Sequence, residues 1–241
     1  MVSNADYVFV DDLTWDTSLT KLLAFNQTQY LRIIHLDSDV TIQHHLDDLF
    51  LLPSTPVAMM RAYWSSTTIH SLTSLLILLE PSATETARLV AAADSPSRQP
   101  DHFDMEVLNA LYGNSAMVLP HRRYGLLSGE FRSTDHTAYL GNDYEKWDAK
   151  RVLREASLVH FSDWPLPKPW IMWPQSLMRD MQPHCEVNPG TASEAGCEGR
   201  EVWVELYNEF RRRRKDVCAL LSVPAPEWPP RRRWNGTGTQ I

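Results

Sequence analysis

Two aspartates one residue apart, Asp37 and Asp39 on either side of Ser38, close the apolar run Leu31-Arg32-Ile33-Ile34-His35-Leu36. An extended chain points alternate side chains to one face, so both carboxylates can turn the same way. Carboxylate oxygens that converge suit a hard divalent cation, which keeps positions open for phosphate. An Asp-x-Asp behind a strand is therefore a candidate metal–diphosphate site. Its plainer reading is a turn or the cap of the next helix. A second segment far downstream weighs against that plainer reading: His160-Phe161-Ser162-Asp163-Trp164-Pro165-Leu166-Pro167-Lys168-Pro169-Trp170 offers an imidazole and an ammonium.

The elements that must position these groups alternate. A β-rich run covers 7–10, and a helix is predicted over about 16–30, with Asp16 as N-cap and Leu19, Leu22 and Leu23 on one face. The strand 31–36 delivers the aspartates, and a short helix over 44–50 stops before Pro53. Strands follow at 57–60 and 75–79. The second is continuously apolar, as a strand buried on both faces would be. Ser82-Ala83-Thr84-Glu85 is a capping box that opens a helix to about Ala93. A helix over 104–112 ends at Gly113, and 116–119 is a further strand. The alternation predicts an α/β domain with a mixed, largely parallel sheet flanked by helices. An amphipathic helix is expected over 200–221, with a mobile basic tail behind it.

Composition narrows the function classes. The chain has 241 residues, 43% of them hydrophobic, which suits one sizeable core. A formal net charge of −7 argues against a general nucleic-acid surface. The runs Arg211-Arg212-Arg213-Arg214-Lys215 and Arg231-Arg232-Arg233 read as a solvated helix end and a tail. No apolar stretch reaches the length of a membrane span. Three cysteines, Cys185, Cys197 and Cys218, allow one disulfide with a thiol left over, or three thiols.

The ordered motifs resemble those of family 8 glycosyltransferases, the glycogenin-like group. They are Lys21, then Tyr30-x-Arg32-x-Ile34-x-Leu36-Asp37-Ser38-Asp39, Glu80-Pro81-Ser82, Asp104-x-x-x-Leu108-Asn109, and His160 with Lys168-Pro169-Trp170. Arg61-Ala62-Tyr63-Trp64, His136-Thr137-Ala138-Tyr139-Leu140-Gly141 and Glu145-Lys146-Trp147 resemble the fungal alpha-N-acetylglucosaminyltransferase branch. The likeness covers roughly residues 15 to 175 and implies a GT-A fold, a Rossmann-like sheet that binds a nucleotide-sugar. It implies Mn²⁺ held by Asp37, Asp39 and His160, a mixed oxygen and nitrogen set suited to that ion. It places Lys168 beside the donor diphosphate and brings Lys21, Ser38 and Ser74 to the donor. Lys21 and Asp104 become the candidate catalytic residues, Asp104 near the sugar. It implies retaining transfer, by the first reading of N-acetylglucosamine from UDP-N-acetylglucosamine to a glycan or glycoprotein acceptor. A glycogenin-like or galactinol-synthase-like use of UDP-glucose or UDP-galactose is the alternative within the class. For a full-length form the resemblance implies a Golgi-lumen protein with a type II membrane anchor.

Each assignment has a plainer structural reading. Lys21 fits a solvent-facing helix residue, Asp104 a helix cap, and His160 a core histidine. The sequence also departs from the family pattern. Thr73-Ser74-Leu75 stands where glycogenin members have Asn-Ser-Gly, and Asp163 stands where a glycine follows the histidine. The chain starts just upstream of Lys21, so the strand and turn that hold uracil and ribose are expected to be missing. The expected organisation is a truncated transferase domain over 1–175 and an extension over 176–241. The opposing hypothesis is a non-catalytic remnant that binds metal or a partner.

Overall fold

The protein is described here by a computed structural model. The structure describes residues 18–65, 70–99, 102–163, 168–172, 175–185, 197–219 and 223–224. The run at 7–10, Asp16, Trp164, Trp173 and the basic tail lie outside them.

Four strands form the main sheet: β1 (Ile33–Leu36), β3 (Val57–Arg61), β4 (Leu72–Leu79) and β5 (Met117–Leu119), in the order β1-β4-β3-β5. A second sheet joins β2 (Val40–Ile42), β7 (Leu158–His160) and β6 (Leu126–Leu127), in the order β2-β7-β6. All eight residues of β4 are buried. Ile77 and Leu79 pack with Leu89 of helix α1 (Ala83–Ala93) and with Val107 and Leu108 of helix α2 (Asp104–Tyr112). Leu76 and Leu78 pack with Leu49, Leu119 and Leu158. From 76 to 79 alternate residues of one strand thus serve two cores, which is why the sequence shows no alternation there.

The architecture is α/β, with mixed sheets flanked by helices, as expected. The expectation of a largely parallel sheet is corrected. β4 runs antiparallel to both β1 and β3, and within the main sheet only β3–β5 is parallel. A continuous apolar run reports burial on two faces, not strand direction. The predicted helices over 16–30 and 44–50 are shorter 3-10 segments, Ser18–Asn26 and Asp47–Leu51. Half of the expected capping box is formed: the Ser82 hydroxyl accepts from the Glu85 N–H, while the Ser82 N–H donates to the Phe25 carbonyl and the Glu85 carboxylate turns to Arg88 and Tyr112.

Helix α2 is fastened to the sheet by Asn109. Its side-chain amide donates to the Leu72 carbonyl at 2.7 Å and accepts from the Leu72 N–H at 2.8 Å, as a one-residue strand partner would. Asn109→Leu leaves two buried backbone groups unpaired and is expected to cost about 2–4 kcal/mol in urea unfolding. An unchanged midpoint would mean that the clasp contributes nothing.

Helix α4 (Glu198–Cys218) closes the structure on the other side. Its Trp203, Leu206 and Tyr207 are buried against Leu126, Val159 and Phe161, and against Val152 of helix α3 (Ala149–Glu155). The helix therefore lies against β7, the strand that ends in His160.

Candidate metal centre

The Asp37-Ser38-Asp39 segment spans the step from one sheet to the other. β1 ends at Leu36 in register with Leu76, and the Asp37 N–H donates to the Leu75 carbonyl at 3.0 Å. The next strand, β2, pairs antiparallel with β7, which sets Val40 opposite His160. The Phe161 N–H then donates to the Asp39 carbonyl at 2.8 Å. Backbone pairing thus brings His160 to the aspartates across more than a hundred residues of sequence.

Ligand atoms of Asp37, Asp39 and His160 all lie within 4.8 Å of one another. His160 Nε2 is 3.1 Å from Asp39 Oδ1 and 3.9 Å from Asp37 Oδ2. Two oxygens at about 2.1 Å from one ion, at right angles, stand about 3 Å apart, so these separations approach a coordination shell. Two carboxylates and an imidazole fit a divalent metal. The Lys168 ammonium also meets Asp39, with Nζ 2.5 Å from Oδ2. Burial pushes the Asp39 carboxyl up, but His160 and Lys168 outweigh it and hold that carboxyl well below the usual range.

A second cluster adjoins the first. Lys21 Nζ lies 2.7 Å from Asp37 Oδ1 and 2.8 Å from Asp104 Oδ2. The Ser74 hydroxyl donates to Asp104 Oδ2 at 2.5 Å, and Lys21 Nζ is 3.4 Å from that hydroxyl. Burial opposes the Lys21 charge, yet Asp37 and Asp104 prevail and its pKa is raised. Burial likewise opposes ionisation of Asp104, and Lys21 again decides the sign, so that pKa falls. Asp104 opens helix α2 but turns its carboxylate to Lys21 and Ser74 instead of capping the helix. Lys21 is not a solvent-facing residue; only 12% of its side chain is exposed.

Seven of the eight residues singled out from sequence are thus linked: Lys21, Asp37, Asp39, Ser74, Asp104, His160 and Lys168. Ser38 stands apart. It is exposed and lines a groove of about 650 Å³ with Thr41, Trp170, Phe210 and Arg214. Sequence reasoning missed His35. Its Nδ1 is buried without a hydrogen-bond partner among the described residues. Burial first, and the Lys21 charge second, lower its pKa. Its signal was the even spacing from Asp37 along the strand. Arg32 and Glu80, two of the motif residues, prove to be partners: Arg32 Nη2 is 2.9 Å from Glu80 Oε1. They brace the far end of β1.

No protein-family model matches the chain. It is 53% identical over 223 residues to a protein of Aspergillus fumigatus named glucose N-acetyltransferase 1, covering 89% of this chain and 58% of that relative. A protein of the same name from Gibberella zeae is 45% identical over 220 residues, covering 90% of this chain and 47% of that one. The chain thus spans about half the length of these relatives. Among solved structures, the glycosyltransferase GlyE of Streptococcus pneumoniae overlaps with a TM-score of 0.48 at 14% identity, over 87% of this chain and 48% of that chain. Overlap of that degree assigns nothing by itself.

Proposed function

We propose, from the premise that this chain is a homologue of the fungal glucose N-acetyltransferase 1 proteins, that it carries the metal and diphosphate site of a retaining GT-A-type glycosyltransferase. The donor is UDP-N-acetylglucosamine, the acceptor a glycan or glycoprotein, and the metal Mn²⁺. The observation that supports this most is the meeting of Asp37, Asp39 and His160, with Lys168 at its edge. When bound, the ion supplies positive charge against the departing diphosphate.

The chain's own residues account for the rest of the proposal. Lys168 exchanges part of its contact with Asp39 for a diphosphate oxygen and adds a point charge on the leaving group. Lys21 holds Asp37 and Asp104 at fixed separation and favours the ionised form of Asp104. Asp104, oriented by Ser74, accepts hydrogen bonds from hydroxyls of the transferred sugar. Ser38 meets the donor from the groove side. Residues 1–175 form the transferase domain and 176–241 an extension, by the same reading.

A Golgi lumen location for the full-length form belongs to this proposal. The disulfide between Cys185 and Cys197 supports it, since such bonds persist in oxidising compartments. Among the described residues no helix is long and apolar enough to cross a membrane.

Calorimetry tests the central claim. UDP titrated into the 241-residue chain is expected to bind with micromolar affinity in Mn²⁺ and far more weakly in EDTA. Absence of UDP binding in Mn²⁺ would refute the proposal and favour the non-catalytic remnant. Turnover compared across UDP-N-acetylglucosamine, UDP-glucose and UDP-galactose identifies the sugar.

A further inference from the structure

Two residues beyond His160 lies a carboxylate that the metal chemistry does not use. Asp163 has no exposed side-chain surface. Its Oδ2 accepts from the Ser128 hydroxyl at 2.5 Å, the Tyr207 hydroxyl at 2.8 Å and the Trp203 indole N–H at 3.1 Å. Its Oδ1 has no hydrogen-bond partner among the described residues, and the nearest cation, Arg132, is 3.6 Å away. Burying a carboxylate is costly even when donors surround it, and a cluster of this kind replaced as a whole by well-packed apolar residues is often no less stable. Stability alone is therefore a poor reason for this group. What it does provide is geometry: one oxygen joins β7's continuation, the segment after β6, and helix α4.

That joint bears on the metal centre through the backbone. The Ser162 N–H donates to the same Ser128 hydroxyl at 3.2 Å, and the Phe161 N–H is bonded to the Asp39 carbonyl. Lys168 Nζ lies 3.5 Å from the Phe161 carbonyl. Gly129 lets the chain pass close by, since a Cβ there would stand 2.9 Å from the Ser162 carbonyl oxygen. We infer that Asp163 is a positioning residue: clamped by Ser128, Trp203 and Tyr207, it fixes the 160–163 segment so that His160 and Asp39 face one metal ion. Helix α4 thereby sets the affinity of a site to which it contributes no ligand. The inference rests on the metal reading proposed above.

Mn²⁺ titration followed by electron paramagnetic resonance, alongside thermal unfolding, tests it. Asp163→Asn keeps the size and is expected to raise the Mn²⁺ dissociation constant about tenfold or more, the range known for residues that orient ligands. Tyr207→Phe removes one donor and is expected to shift the constant in the same direction by less; it also serves should Asp163→Asn not fold. Leu206→Ala, on the buried face of the same helix, is expected to lower the melting temperature and leave Mn²⁺ affinity unchanged. Equal affinity in wild type, Asp163→Asn and Tyr207→Phe would overturn the inference. So would Leu206→Ala losing affinity in step with its stability, since that is general loosening. A wild-type chain that binds no Mn²⁺ overturns the metal reading and this inference together.

Discussion

Replacing Asp39 with alanine is expected to lower Mn²⁺-dependent turnover of UDP-N-acetylglucosamine by about 100-fold or more. The side chain is almost fully buried and meets two cationic or ligating partners at once, His160 and Lys168. Removing it deletes one candidate ligand and releases the other two groups from their shared anchor. Asp39→Asn is the sterically matched control. It keeps the volume and loses the charge, so most of the effect should remain. Steady-state rates at saturating Mn²⁺, with Mn²⁺ affinity measured separately, distinguish lost metal from misplaced metal. Unchanged rates in both variants would leave the metal assignment without support.

Lys21→Met carries the second large effect, on stability. The lysine sits between two carboxylates, with side-chain exposures of 23% for Asp37 and 8% for Asp104. Taking away the cation leaves like charges buried and facing each other, and breaking such a pair costs about 3–5 kcal/mol. The pH dependence identifies the cause. In the wild type the Asp104 pKa is depressed in the folded state. Its contribution is present above the unfolded value near pH 3.8 and is lost as pH falls through the folded one. In Lys21→Met the same carboxyl is buried without a cation, so its folded pKa rises and protonation relieves the strain. The stability gap between the two proteins should therefore narrow as pH falls from 7 toward 4. The raised pKa of Lys21 acts at the other end, its share of wild-type stability fading only as pH rises through the folded value. A gap that stays constant across pH would mean lost packing, not charge.

The sequence carried much of this site because its strongest signals are local. An apolar run cut off by Asp37-Ser38-Asp39 states both the strand and the acidic pair. The capping box from Ser82 to Glu85, and the stop at Gly113, bounded α1 and α2 to within a residue or so. What stayed hidden depends on partners far away. Strand direction in β4 follows from how the chain returns, which no pattern within the strand records. The clamp on Asp163 draws on residues 35, 40 and 44 positions distant, so from sequence it is one acidic residue in a proline-rich stretch. Lys21 reads as a surface residue until its two carboxylates are known, since nothing within its own segment neutralises it. The 3-10 geometry of 18–26 was equally hidden, because an apolar face fits either helix type.

The pairing of β2 with β7 has a consequence for how this sequence can change. Because side chains alternate along a strand, a single inserted or deleted residue within 158–160 would swing the imidazole to the opposite surface. The same indel in an exposed turn between those strands would leave the ladder untouched. Length variation among related sequences should therefore crowd into the intervening loops and vanish at these two short strands, whatever the acceptor each has come to serve.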